Sequence, residues 1–451
     1  CSSGTSRTLR PAIHIRAGEK PRSQFRIGTE HEKFGFHVAD RSPVAYEGEN
    51  GILRLLEELQ AVSGWEPITD DGRIIGLAGG KGEGAISLEP GGQFELSGAA
   101  LETLHETSVE TNRHLADVKA IGERLGLGFL GLGSSPVWTI SETPVMPKSR
   151  YNIMKRYMPR VGTRGLDMMF RTCTIQVNLD FSSERDMARK MRLGQRLQPL
   201  ASALFANSPF TEGEPNGLQS WRCGVWSDVD NQRSGLLPFV FDEGFGYSDY
   251  VEWALDVPMY FVMREGRYHD ATHITFRQML DGALKGELPD PEPNMGDWAN
   301  HLSTLFPDVR LKRFLEMRGA DGGPLADILA LPAFWTGLLY DEDALGEAEA
   351  LVADWSYKDV STLRSAVPQD GLRTAFRHGV LVDTARRIVP IAKAGLERRA
   401  RLDAQGRSEA IYLAPLEARA KTGRTAADDL LRLYGTEWKN RIDPVFTHLA
   451  Y

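Results

Sequence analysis

FRIGTEHEKFGF, residues 25–36, decides the fold. Phe25, Ile27, Thr29 and His31 alternate with Arg26, Glu30, Glu32 and Phe34, the period-two pattern of a strand. Glu30 and Glu32 therefore share a face. Like charges there repel, and burying them is costly unless a strong cation compensates. A bound divalent metal is the candidate, so matching groups are sought along the chain.

Three further segments supply them. SLEPGGQFELSG (87–98) places Glu89 and Glu95, with Gln93, on either side of a Pro-Gly-Gly turn. RTCTIQVNLDF (171–181) sets Cys173, Ile175, Val177, Leu179 and Phe181 on an apolar face, opposite Thr174, Gln176, Asn178 and Asp180. RFLEMRGAD (313–321) puts Glu316 and Arg318 on one face if extended, with Asp321 just beyond. The alternative is the solvated side of an antiparallel sheet, but acids and amides dominate where Lys, Thr and Arg are usual. All-oxygen ligands suit Mg²⁺ or Mn²⁺, and Mg²⁺ commonly shares its coordination with substrate phosphates. ATP-dependent chemistry is the expectation. MPKSRYNIMKRYMP (146–159) and SWRCGVWSDVDNQR (220–233) add cations for an anionic substrate, with Arg150 and Arg222 the best placed.

Composition narrows the class. The 451 residues are 41% hydrophobic and 25% charged, as in globular proteins. Net charge is 53 − 61 = −8, without long like-charge blocks, which disfavours nucleic acid as a partner. No apolar run is long enough for a membrane span, and CSSGTSRTLR lacks the apolar stretch of a secretory signal. The chain starts at Cys1 rather than Met and is read as trimmed. Its three cysteines, Cys1, Cys173 and Cys223, show no CxxC spacing and suit a reducing compartment.

Amphipathic patterns predict helices over 51–60, 101–125 and 184–206, the last kinked or divided by Pro199. Thr425 and Asp428 predict an N-terminal cap. Strand-like pieces at 25–38, 73–77, 84–97, 171–181 and 257–263 do not alternate regularly with helices, so α+β with an antiparallel sheet is expected. Nothing reads as a flexible linker, which favours one domain; 320–324 and 401–409 are the alternative boundaries. GLGFLG (126–131) follows a helix instead of opening one, so it is read as helix termination. GGKGEG around Lys81 lacks the Ser or Thr of a P-loop and is at most a phosphate-contacting loop. His269 and His273 read as ordinary polar positions.

FRIGTEHEKFGF, GGQFELSGA, MPKSRYNIMKRYMP, MFRTCTIQVNLDFSSE, LFANSPFTEG, DVPMYFV and VRLKRFLEMRGADGGP together resemble the plant and proteobacterial type of glutamate–cysteine ligase. The resemblance runs from about residue 24 to the C-terminus, and residues 1–23 match less well. It implies a single catalytic domain over 1–451 with the glutamine synthetase-like carboxylate–amine ligase fold, a curved antiparallel sheet funnel surrounded by helices. It also implies ligation of L-glutamate to L-cysteine through a γ-glutamyl phosphate, the first step of glutathione synthesis. Glu30, Glu32, Glu89, Glu95 and Glu316 match metal positions for about two or three Mg²⁺ ions, and Gln176 and Asn178 match nucleotide–metal-side positions. Arg150 and Arg222 match positions gripping glutamate, and Tyr260 matches one facing cysteine. Arg318, with Glu316, is the candidate for stabilising the transferring phosphoryl group. The rivals are a ligase with a different amine acceptor and a non-catalytic binding paralogue. The plant regulatory cysteines are replaced: Ala271 stands at one, Ser108 and about Leu329 at another pair. Disulfide switching is therefore not expected, and a cytoplasmic protein of bacterial type, monomer or homodimer, is.

Overall fold

The computed structural model describes residues 11–451, so CSSGTSRTLR, with Cys1, lies outside the described residues. Nine strands form one sheet: β1 (Ile27–His37), β2 (Glu66–Asp70), β3 (Arg73–Ala78), β4 (Ala85–Leu88), β5 (Phe94–Leu101), β6 (Leu127–Leu130), β7 (Thr174–Leu179), β8 (Val309–Leu311) and β9 (Leu315–Asp321). Their order is β8-β9-β7-β1-β5-β4-β3-β2, with β6 paired to the far end of β1. Every pairing in it is antiparallel.

The alternation read from sequence sorts the two faces. Ile175, Val177 and Leu179 of β7 and Leu315 and Met317 of β9 are wholly buried on the back of the sheet. They pack with the helices Glu184–Leu204 and Leu325–Leu339 into one core cluster. The first of these runs unbroken through Pro199, so the expected division there does not occur. Leu197, Leu200, Ala201 and Leu204 are fully buried there, and that packing outweighs the single N–H that proline removes. A second cluster backs β3, β4 and β5 with the helices Ile52–Ser63 and Leu104–Leu125. The latter begins three residues later than expected. Thr103 and Glu106 form its capping box, and Leu101 ends β5 instead. It stops at Gly126, whose φ of 66° is left-handed, so GLGFLG is helix termination running into β6. The cap at Thr425 and Asp428 is present on the helix Ala426–Gly435.

One irregularity positions the front face. Gly28 pairs with Ala100 but Glu30 with Ser97, so β5 carries one more residue than β1 between those pairs. This bulge resets the register, leaving Glu32 directly opposite Glu95. The front is covered by a third cluster built from Tyr151, Ile153, Met158, Phe170, Trp221 and Tyr260. Between that cover and the sheet lies a cavity lined by the acids of the front face.

Candidate active site

The cavity measures about 250 Å³. Of the side chains expected in a site, Glu30, Glu32, Glu89, Glu95, Arg150, Gln176, Arg222 and Arg318 line it. They arrive from six separate segments. β1 brings Glu30 and Glu32, and β5 brings Glu95 across from Glu32. Glu89 follows β4 directly, where Gly92, at φ 84°, closes the turn by donating to the Glu89 carbonyl over 2.9 Å. Gln93 Nε2 then donates to the carbonyls of Met169 (3.2 Å) and Thr172 (2.9 Å), tying the turn to the entry of β7.

The acids repel one another. Burial raises the Glu30 carboxyl to about 7, with Glu316 and Glu95 adding to the rise. Glu32 is pushed well above the carboxylate range by burial and by Glu89 and Glu95, against Arg222 and the Thr174 N–H. Burial also raises Glu95, with Glu89 adding, although Ser97 and Ser87 Oγ donate to it over 2.7 and 2.8 Å. Like charges paired across strands are destabilising unless a cation joins them. Among the described residues no three His, Cys, Asp or Glu side chains are drawn together as a ready metal cage. The donors are nevertheless all oxygen and mutually destabilised, which fits a hard divalent cation.

Glu316 stands apart from this group. It is fully buried and is absent from the cavity wall, held by Arg310 and within 3.3 Å of Arg318. Burial would raise its carboxyl, but Arg310, Lys312 and Arg318 overcome that and hold it well below the usual range. Arg310 does line the cavity and was not picked out from the sequence. Its signal was present: in VRLKRFLEM, the cations at 310 and 312 precede Glu316 by a hairpin's length. Arg318 donates to Gln176 Oε1 over 2.5 Å, and burial with Arg310 lowers it to about 10. Asn178 lies off the cavity wall and donates to Glu30 over 2.7 Å.

Arg222 is held from behind. Its Nη2 donates to the Arg318 carbonyl (3.0 Å), and its backbone N–H donates to Ser208 Oγ (3.2 Å). Ser208 and Ser220 in turn donate to Asp321, over 2.6 and 2.8 Å. Asp321 thus positions the arginine. Tyr260 departs from expectation. It is wholly buried behind the cavity wall, with the Arg233 guanidinium 3.7 Å from its ring centre, and Phe261 lines the cavity in its stead. GGKGEG is the tip of the β3–β4 hairpin, and Gly82, Glu83 and Gly84 line a different groove, so it makes no contact with this cavity. His273 pairs with Glu287 at 3.2 Å, as an ordinary polar residue. Cys173 is buried; Cys223 is half-buried, its thiol pushed up to about 11 by burial, which leaves it a poor nucleophile. No helix among the described residues is long and apolar enough to cross a membrane.

Comparison with known proteins shows the family. The family model described as "Glutamate-cysteine ligase family 2(GCS2)" matches residues 26–448. The chain is 53% identical over 438 residues to glutamate–cysteine ligase B, chloroplastic, of Oryza sativa subsp. japonica, covering 97% of this chain and 86% of that one. It is 54% identical, again over 97% of its length, to the chloroplastic glutamate–cysteine ligase of Arabidopsis thaliana, of which 82% is covered. The crystal structure of a glutamate–cysteine ligase from Francisella tularensis in complex with AMP shares the fold, with a TM-score of 0.51 at 12% identity over 91% of this chain and 85% of that one. The fold is thus the glutamine synthetase-like α+β type expected. The expected cytoplasmic, bacterial-type location is overturned, because relatives at this identity are chloroplastic proteins. Replaced regulatory cysteines report on redox chemistry at those positions and were a poor guide to compartment.

Proposed function

The chain belongs to glutamate–cysteine ligase family 2, and we propose that it joins the γ-carboxylate of L-glutamate to the amine of L-cysteine, using ATP. A γ-carboxylate oxygen attacks the terminal phosphorus of ATP, releasing ADP and leaving γ-glutamyl phosphate. The cysteine amine attacks that acyl carbon, inorganic phosphate leaves, and the amine gives up its proton as the amide of γ-glutamylcysteine forms. The observation that carries this reading is one cavity lined by Glu30, Glu32, Glu89 and Glu95, three of them with raised carboxyls, together with Arg150, Arg222, Arg310 and Arg318.

In this reading Glu30, Glu32, Glu89 and Glu95 hold Mg²⁺. When bound, the metal offsets the charge of the triphosphate and of the phosphoryl group in transfer. Arg150 and Arg222 grip the glutamate carboxylates, for which guanidinium forks are suited. Arg318 and Arg310 stabilise charge on the transferring phosphoryl group, and the enclosing cover keeps water from the acyl phosphate. Glu316 is assigned to fixing those two arginines in place of a metal, and Asn178 to orienting Glu30. Residues 11–451 act as one catalytic unit. Phosphate release from MgATP and L-glutamate, with and without L-cysteine, tests the reading when the product is weighed by mass spectrometry. Cysteine-dependent release giving γ-glutamylcysteine supports it; turnover only with another amine replaces the acceptor. Folded protein inactive with every amine overturns it.

A further inference from the structure

A larger cavity, about 740 Å³, lies on the back of the sheet between the helices Ile52–Ser63 and Leu104–Leu125. Trp65, Ile86, Leu96 and Val109 give it apolar walls, and nothing in the reaction above uses it. The charges at its rim are mostly satisfied internally. Arg407 pairs with Asp403 at 2.8 Å and Arg113 lies 3.9 Å from Asp117. Glu106 is spent in the helix cap, and Glu83 accepts from the Gly80 N–H.

Glu110 is different. It reaches over β5 at Gly98, where an added Cβ would lie 2.4 Å from its Oε2. Only the Ala99 N–H, 2.8 Å away, is bonded to it, through Oε1. No cation offsets the burial that raises its pKa. One helical turn on, His114 is 7% exposed and lines the same cavity. Lys33 Nζ lies 3.0 Å from its Nε2 and donates to the Phe94 carbonyl at 3.1 Å. With Lys33 as the donor to Nε2, the ring proton lies on Nδ1, which has no partner among the described residues. An unpaired carboxylate and an unpaired N–H thus stand at i and i+4 on one helix face, above an apolar wall.

We propose that this groove is a second binding site, taking a primary ammonium beside a carbonyl oxygen on an apolar body, the chemistry of an apolar amino-acid amide. The ammonium meets Glu110, the carbonyl accepts from His114 Nδ1–H, and the side chain lies against Trp65 and Leu96. L-Phenylalaninamide is the probe, titrated calorimetrically into the full chain with MgATP and L-glutamate filling the catalytic cavity. Saturable binding is expected, about tenfold weaker in Glu110→Gln, as for loss of a charge-assisted hydrogen bond. N-acetyl-L-phenylalaninamide, which lacks the ammonium, should not bind. Val109→Lys, at a rim position 71% exposed and so safe for folding, should also weaken binding by placing a competing ammonium in the groove. No binding, displacement by MgATP and glutamate, or equal binding by both variants and the acetylated compound overturns the proposal.

Discussion

Glu30 and Glu316 are two enclosed carboxylates on one sheet, each a neighbour of Asn178, and burial acts on both in the same direction. Their outcomes are opposite. Glu30 is raised to about 7 because its strongest charged neighbours are other acids, while three cations hold Glu316 low. Burial alone therefore does not mark a functional acid. An internally neutralised carboxylate holds structure, whereas one set mainly among other acids is left for an arriving cation to neutralise.

Three substitutions break or sharpen that contrast. Glu316→Gln should have the largest effect, leaving the buried Arg310 uncompensated at a cost of about 3 kcal/mol or more, read as a lower denaturant midpoint. A stability unchanged by that variant would remove the contrast. Glu32→Gln should keep the fold, relieving repulsion with Glu95, and lose about a hundredfold in kcat, comparable to removing one preorganised electrostatic group. Near-normal Mg²⁺-dependent turnover would take Glu32 out of the metal set. Beside the loss of turnover expected of a metal ligand, Glu30→Gln should give the smallest stability effect, seen in metal-free melting. The folded pKa of Glu30 is raised from 4.5 to about 7, so the native state binds the extra proton and loses stability as pH rises through that window. The variant and wild type should therefore melt together near pH 5, and the variant should melt higher by pH 7. Equal Tm differences at both pH values would show that Glu30 titrates normally.

Much of the acidic wall was legible because it rests on period-two alternation. Glu30, Glu32 and Gln176 follow from strand parity, and the Pro-Gly-Gly turn places Glu89 near Glu95. What stayed hidden depends on which strands become neighbours. Glu316 and Arg310 meet only because β8 folds back on β9, so the same glutamate reads as a ligand in isolation and as half of an ion pair once folded. Tyr260 was misplaced for a related reason. Adjacent aromatics in a run such as MYF alternate inward and outward, and it is Phe261 that reaches the cavity. The late start of the Leu104–Leu125 helix was readable in the T-x-x-E spacing of Thr103 and Glu106, which outranks the apolar pattern running back to Leu101.

The extra residue that β5 carries against β1 has a consequence for changes in chain length. Because side chains alternate faces, a one-residue deletion in that stretch would exchange the two sides of whichever part of the strand shifts. Glu95 would turn toward the helices, or the residues beyond the bulge would turn toward the acids. Substitutions here alter one contact each, but an insertion or deletion re-sorts a whole segment. This strand should accordingly tolerate almost no change in residue count.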